Sequence, residues 1–162
     1  MEITIKRIDH SLPLPAYHTP GAAAFDVYSR IDDQIAPGET KLIPTNIVVA
    51  TPPGYMLLLA ARSSLAHKKG LKMANGVGII DEDYCGDNDE IHLLLHNYSP
   101  KSTSIMRGER LAQGIFVKIE KGDWKKRYSP SRISSYIGKR YSRKLTCIAL
   151  AGEEGWLVRR IS

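Results

Sequence analysis

Cysteine is scarce in this chain: only Cys85 and Cys147 occur, too few for a disulfide framework and without the companion ligands of a zinc site. Both are expected to be free thiols. Long apolar runs are missing too. No stretch approaches the roughly 18 apolar residues of a membrane helix, and residues 1–10, MEITIKRIDH, carry charge where a signal peptide carries its apolar region. A cytoplasmic protein with no membrane partner is therefore expected. There is no Walker-A or G-x-G-x-x-G pattern, and the five histidines are scattered without H-E-x-x-H or H-x-E spacing. Ser63 and Ser64 stand outside any G-x-S-x-G elbow. These absences argue against P-loop and dinucleotide-binding folds, zinc hydrolases, zinc deaminases and serine nucleophiles.

What remains is an ordinary globular composition, 162 residues with 43% hydrophobic and 25% charged, enough for one compact domain. The net charge of +6 is uneven along the chain. Residues 1–124 balance at −2, whereas residues 125–162 hold ten Lys/Arg against two Asp/Glu, a balance of +8. The chain thus divides into a β domain over residues 1–122 and a basic, poorly ordered tail over 123–162. The tail shows no periodicity that would gather its basic residues and aromatics on one face, so nucleic-acid binding is not expected.

Ile3-Thr4-Ile5-Lys6-Arg7-Ile8 alternates apolar and polar as a half-buried strand does. Strand-like runs recur at 40–43, 46–50, 55–60, 91–97 and 114–119, separated by turn signals such as Pro37-Gly38, Pro52-Pro53-Gly54 and Arg107-Gly108. Only residues 63–69 suit a short helix. The pattern predicts an all-β, jelly-roll-like barrel or sandwich with one short helix and an irregular basic C-terminal tail.

Three segments could build a site. Ala61-Arg62-Ser63-Ser64-Leu65-Ala66 follows a strongly apolar strand and opens the helix, aiming a guanidinium, two hydroxyls and backbone N–H groups at one point, as a phosphate site would. A helix cap beside a surface arginine is the alternative. Asn75-Gly76-Val77-Gly78-Ile79-Ile80-Asp81-Glu82-Asp83-Tyr84-Cys85-Gly86 permits a tight hairpin close to a ligand and sets Asp81 three residues before an aromatic ring. A solvated acidic turn competes, while a calcium loop fails because Cys85 and His92 fall where oxygen ligands are needed. Taken alone, Arg107-Gly108-Glu109-Arg110-Leu111-Ala112-Gln113 reads as a surface loop of mixed charge.

In order and spacing these segments resemble the trimeric dUTPase family, which carries five short motifs along an all-β chain. Gly21-Ala22-Ala23-Ala24-Phe25-Asp26-Val27 is similar to the first motif and Arg62-Ser63-Ser64-Leu65-Ala66 to the second. Gly78-Ile79-Ile80-Asp81-Glu82-Asp83-Tyr84-Cys85-Gly86 is similar to the third and Gly108-Glu109-Arg110-Leu111-Ala112-Gln113 to the fourth. The resemblance implies a homotrimeric dUTP diphosphatase that uses Mg²⁺ and yields dUMP and pyrophosphate. It implies that Asp81 activates water for attack on the α-phosphorus and meets the sugar 3′-hydroxyl. Tyr84 would pack against deoxyribose and exclude a 2′-hydroxyl. Asn75 with the backbone of residues 76–80, Gly78, Ile79 and Ile80 among them, would read uracil. Arg62, Ser63, Ser64 and Gln113 would clamp phosphate, supported by Arg110. Asp26 would join the water and metal network, with Mg²⁺ held by triphosphate oxygens and water rather than directly by side chains.

Two departures stand out. Asp87-Asn88-Asp89-Glu90 is longer than the simple Gly-acid-apolar step of the family, so the turn there should differ without touching catalysis. The fifth motif, a C-terminal Gly-Phe-Gly-Ser-Thr-like flap over a neighbour's triphosphate, is absent. A lost G in the codons for Trp124-Lys125-Lys126 would account for this, since TGG GAA GAA becomes TGG AAG AAG, and the restored frame permits Gly-Ser-Thr near the end. Divergence into a basic tail is the competing account. Slow turnover of bound dUTP follows from the missing flap. Two other functions compete. A dCTP deaminase of the same fold would need a glutamate where Leu94 stands, and leucine cannot shuttle a proton. A catalytically weak dUTP-binding or regulatory protein is the other alternative.

Overall fold

The computed structural model describes residues 1–126. The chain divides into two units, Met1–Lys121 and Gly122–Ser162, and the first is the subject below. Of the tail read over 123–162, residues 127–162 lie outside the described residues, and with them most of the readings of its order and frame.

Eleven strands and one helix follow in order: β1 Ile5–Arg7, β2 Phe25–Tyr28, β3 Asp33–Ile35, β4 Thr40–Pro44, β5 Ile47–Val49, β6 Tyr55–Ala61, α1 Ser63–Lys69, β7 Leu71–Met73, β8 Val77–Ile80, β9 His92–Asn97, β10 Thr103–Ile105 and β11 Arg110–Lys118. They form a four-stranded sheet β2-β11-β6-β8, a three-stranded sheet β4-β9-β7, and two short ladders, β1-β5 and β10-β3. Every pairing is antiparallel. Among the described residues the architecture is the all-β one expected, with one short helix at residues 63–69.

Alternation builds the core. Leu57 and Leu59 of β6, Leu93 and Leu95 of β9, and Leu71 and Met73 of β7 point inward and are buried. Three-residue strands such as β3, β5 and β10 gain little from ladder bonds alone. Each places an isoleucine in that core, Ile35, Ile47 and Ile105, and such burial contributes roughly 1.5–3 kcal/mol per side chain. Gly114, in the middle of β11, leaves room for a ring: a Cβ there would lie 2.4 Å from Phe25 Cζ.

Three expectations are revised. The strand expected at 114–119 begins at Arg110, so residues 110–113 are not a surface loop but the start of a strand flanked by β2 and β6. Only residues 106–109 form a turn there, with Gly108 at φ 79°. The glycine turn at Asn75-Gly76 is present, with Gly76 at φ 75°, but it closes no hairpin. Its flanking strands bond in different sheets, β7 to β9 and β8 to β6, so the turn carries the chain from one sheet to the other. Finally, β2, β3, β7, β8 and β10 add to the strands expected.

Candidate functional site

At one end of β6 the chain leaves the sheet through Arg62, whose extended backbone precedes α1 and whose side chain makes no capping bond. Arg62 is thus the N-cap residue of α1 through its backbone, with its carbonyl accepting from the Leu65 amide at 3.0 Å, while its side chain turns to another partner. Arg62 Nε lies 3.0 Å from Asp26 Oδ1, while Arg110 Nη1 and His18 Nε2 lie 3.2 and 3.0 Å from Asp26 Oδ2. Strand pairing explains the meeting of residues so far apart in sequence. Gln113 of β11 is opposite Asp26 on one side and Ala60 on the other. A bulge between Arg110 and Ala112 then breaks the alternation. Leu111 and Ala112 both enter the core, and Arg110 reaches Asp26. The Asp26 side chain is only 10% exposed, and a carboxylate so buried persists because it is paired and hydrogen-bonded.

The pocket beside this cluster is lined by Arg62, Ser64, Lys68, Lys69, Glu109 and Arg110. Lys69 is held by Glu109 at 2.7 Å and donates to the Ser104 carbonyl at 2.6 Å. Four cations against Glu109 and Asp26 leave an excess of positive charge, the field a polyphosphate requires. Ser64 lines the pocket, whereas Ser63 is exposed at the first turn of α1. His18, Lys68, Lys69 and Glu109 were not among the residues expected here. Lys68 and Lys69 end the short helix and fall in none of the motifs, and no local pattern links His18 to Asp26.

The other end of β6 carries different chemistry. β8 runs antiparallel to β6, with Val77 beside Ala60 and Ile80 beside Leu57. Gly78 faces inward, where a side chain would meet Leu59 Cβ at 3.2 Å. Asp81 follows directly and is exposed. The turn after it is fixed at several points. The Tyr84 amide donates to the Asp81 carbonyl at 3.3 Å. Glu82 accepts from Lys121 at 3.1 Å and from the Gly54 amide at 3.3 Å, and these contacts, Lys121 first, hold its carboxyl below the usual range. The Tyr84 ring is 40% exposed, and Cys85 is an exposed free thiol. The longer step after Gly86 closes as its own turn, with the Asp89 amide donating to the Gly86 carbonyl at 3.1 Å and Asp89 Oδ2 accepting from the Gly86 amide at 2.7 Å.

Asp81 therefore lies one residue beyond Ile80, whose partner Leu57 is five residues along β6 from Arg62. At ~3.3 Å per residue the two ends are about 20 Å apart within one chain. Between them the outer face of the sheet is apolar. Val77 and Ile79 are 45% and 58% exposed, and Ile79 is beside Leu58, itself beside Ile115. Among the described residues no group of three or more His, Cys, Asp or Glu side chains is arranged to hold a metal ion, and no helix is long and apolar enough to cross a membrane. Leu94 lies on β9 opposite Leu42.

Fold and site together define a jelly-roll-like β protein with a cation-rich pocket and an exposed carboxylate-bearing loop on the same sheet. The dUTPase family profile matches residues 10–135. The deoxyuridine 5′-triphosphate nucleotidohydrolase of Dictyoglomus turgidum is 42% identical over 128 residues, covering 76% of this chain and 85% of that protein. The crystal structure of dUTPase from Streptococcus mutans superposes with a TM-score of 0.68 at 31% identity, covering 74% of this chain and 98% of that one. A mutant dUTPase from phage phi11 of S. aureus, whose structure reveals the coordination of a structural Mg(II) ion, shares the fold. Its TM-score is 0.72 at 20% identity, with 81% of this chain and 99% of that one covered. This chain belongs to the dUTPase family.

Proposed function

We propose that this chain is a dUTP diphosphatase, with Asp81 as the base and the Asp26-linked arginines as the phosphate clamp. The observation that carries the reading is the ion-paired set Asp26, Arg62 and Arg110 beside a pocket rich in cations. Arg62 and Arg110 are already oriented by one carboxylate, so an entering triphosphate meets donors that need not reorganise. Ser63, Ser64 and Gln113 add neutral donors to the same phosphates. Asp81 draws the proton from water attacking the α-phosphorus in line, and its exposure leaves the oxygen open to solvent. Tyr84 stacks on deoxyribose and blocks a 2′-hydroxyl, while Asn75 and the backbone through Gly78, Ile79 and Ile80 read uracil.

The residues present fit Mg²⁺ carried by the nucleotide. Asp26 is engaged by Arg62, Arg110 and His18 and offers an oxygen edge to coordinated water rather than a vacant direct ligand. When carried in with the nucleotide, Mg²⁺ would supply charge neutralisation at the phosphates, with Arg62, Arg110 and Asp26 of this chain placed beside them. The free thiol of Cys85 and a water-soluble substrate suit a reducing, cytoplasmic setting.

The two ends of β6 are too far apart to grip one α-phosphate from a single chain. We therefore assign the working unit as a homotrimer in which Asp81 of one copy meets Arg62 of the next. The apolar strip of Val77, Ile79, Leu58 and Ile115 is the surface that would be buried. The test is complementation. Asp81→Asn and Arg62→Ala chains, each nearly inactive in pyrophosphate release from dUTP, are unfolded together, refolded and assayed with Mg²⁺. Random assembly restores about a quarter of the unaltered activity if the site is shared between copies. No recovery in mixed oligomers would place the whole site in one chain and overturn the arrangement.

A further inference from the structure

The step after Gly86, which sets this chain apart from the simpler family pattern, ends in a buried glutamate. Glu90 is 8% exposed. Its Oε1 accepts from Arg30 Nε at 2.8 Å and from the Asn46 amide at 2.8 Å, and its Oε2 accepts from Arg30 Nη2 at 2.9 Å. This is a two-pronged guanidinium–carboxylate pair, the geometry that fixes orientation most strictly. Its partners are themselves fixed. The Arg30 amide donates to the Pro44 carbonyl at 2.9 Å. Asn46 sits at φ 76°, and its side chain both donates to the Asp9 carbonyl and accepts from the Asp9 amide.

On the other side of Glu90 its main-chain carbonyl faces the loop. The Tyr84 hydroxyl donates to it at 3.4 Å, and His92 Nδ1 lies 2.7 Å away. The chain from the fixed core to the aromatic ring therefore has few links: Arg30 and Asn46 hold the Glu90 side chain, which holds its carbonyl, on which the Tyr84 hydroxyl rests. On the loop side of Glu90, residues 86–89 are held by exposed contacts, such as Lys6–Asp87 at 2.8 Å and the Gly86–Asp89 turn. Such surface pairs hold a loop weakly.

We infer that Glu90 is a positioning residue: through the Arg30 fork and its own carbonyl it sets the Tyr84 ring and so determines how strictly the site excludes a ribose 2′-hydroxyl. This rests on the dUTP diphosphatase reading above. The mechanism is steric. A ring that can tilt leaves space for one more oxygen, so loosening its anchor harms the discrimination between dUTP and UTP more than turnover of dUTP itself.

The experiment measures kcat and KM for dUTP and UTP with the full chain and Mg²⁺, alongside thermal midpoints, for Glu90→Gln, Arg30→Lys and Tyr84→Phe. Lysine keeps the charge but loses the fork. Glu90→Gln and Arg30→Lys should each cut the dUTP-over-UTP ratio of kcat/KM by about tenfold, mostly through a lowered KM for UTP. Tyr84→Phe should reproduce most of that loss, and combining it with Glu90→Gln should add little, as expected of residues acting along one path. Unchanged discrimination in both Glu90→Gln and Arg30→Lys, with only the thermal midpoint lowered, reduces Glu90 to a structural residue and overturns the inference. If neither folds, Tyr84→Phe decides alone, and undiminished discrimination there overturns it equally. Absence of pyrophosphate release from dUTP by the unaltered chain would instead sink the diphosphatase reading itself.

Discussion

The two ends of β6 differ in how their chemistry is held. At the Arg62 end, charged side chains are tied to one another: Asp26 is 10% exposed and shared among Arg62, Arg110 and His18. At the Asp81 end, the carboxylate itself is exposed and the turn around it is secured by its neighbours, Glu82 on one side and Glu90 on the other. At the first end the pocket's own side chains are paired with one another, whereas at the second the pairing falls on the neighbours of Asp81, Glu82 with Lys121 and Glu90 with Arg30. A binding site for a fixed polyanion gains from donors already in place. A base that must reach water gains from being left free, so under the proposed roles the contrast separates grip from reaction.

That separation is broken most severely by Asp81→Asn, which keeps shape and removes proton acceptance. Turnover of dUTP should fall by about 10²-fold or more with little change in affinity. Single-turnover assays with separately measured binding check it, and near-normal turnover would show that the base lies elsewhere. Arg62→Lys acts on the opposite end. It cannot span Asp26 and a phosphate together, so KM for dUTP should rise roughly tenfold while kcat stays within about threefold. A fall confined to kcat would mean that grip and reaction are not divided as described.

Smaller effects sharpen the structural side of the contrast. Gly114→Ala forces Phe25 aside behind the Asp26 strand and should cost about 1–3 kcal/mol in denaturant unfolding. An unchanged midpoint would mean that the ring yields freely. Glu90 gives a pH signature. Burial opposes its charged form, yet the Arg30 bonds and the Asn46 amide outweigh that and hold its pKa below the ordinary 4.5. A depressed carboxylate contributes stability that is present above its unfolded pKa and is lost as pH falls through the folded one. The stability gap between the unaltered chain and Glu90→Gln should thus be full near neutrality and close below about pH 4.5, the unfolded-state reference for this linkage. A gap independent of pH would refute the charge-based account of that anchor.

Much of this was legible in the residues, for identifiable reasons. β6 and β9 announce themselves by apolar runs between turn signals, and α1 by the helix-compatible residues that follow Ala61. The strands β3, β7 and β10 did not, because three residues with a polar centre carry too little pattern. Charge hid the start of β11, since Arg110 and Gln113 read as loop residues although their outward faces are the reason they are polar. At the site, Arg62, Ser64, Asp26, Gln113 and Arg110 could be named from motif resemblance. The meeting of His18 with Asp26, and of Lys69 with Glu109, depends on pairings that only the folded sheet supplies. The distance between Asp81 and Arg62 was equally hidden, because it follows from strand register rather than from either motif.

The bulge between Arg110 and Ala112 bears on which changes of chain length this protein can survive. One extra residue lets the same strand turn a guanidinium toward Asp26 and two consecutive apolar side chains toward the core. Removing any single residue from this stretch restores regular alternation and exchanges the faces on one side of the cut. Either the arginine is driven inward or a leucine is pushed out. Substitutions here can be graded, but a one-residue deletion cannot. Loop tips such as Pro37-Gly38 have no such phase to keep, and lineages of this chain should vary in length there while holding the residue count from Met106 to Gln113 constant.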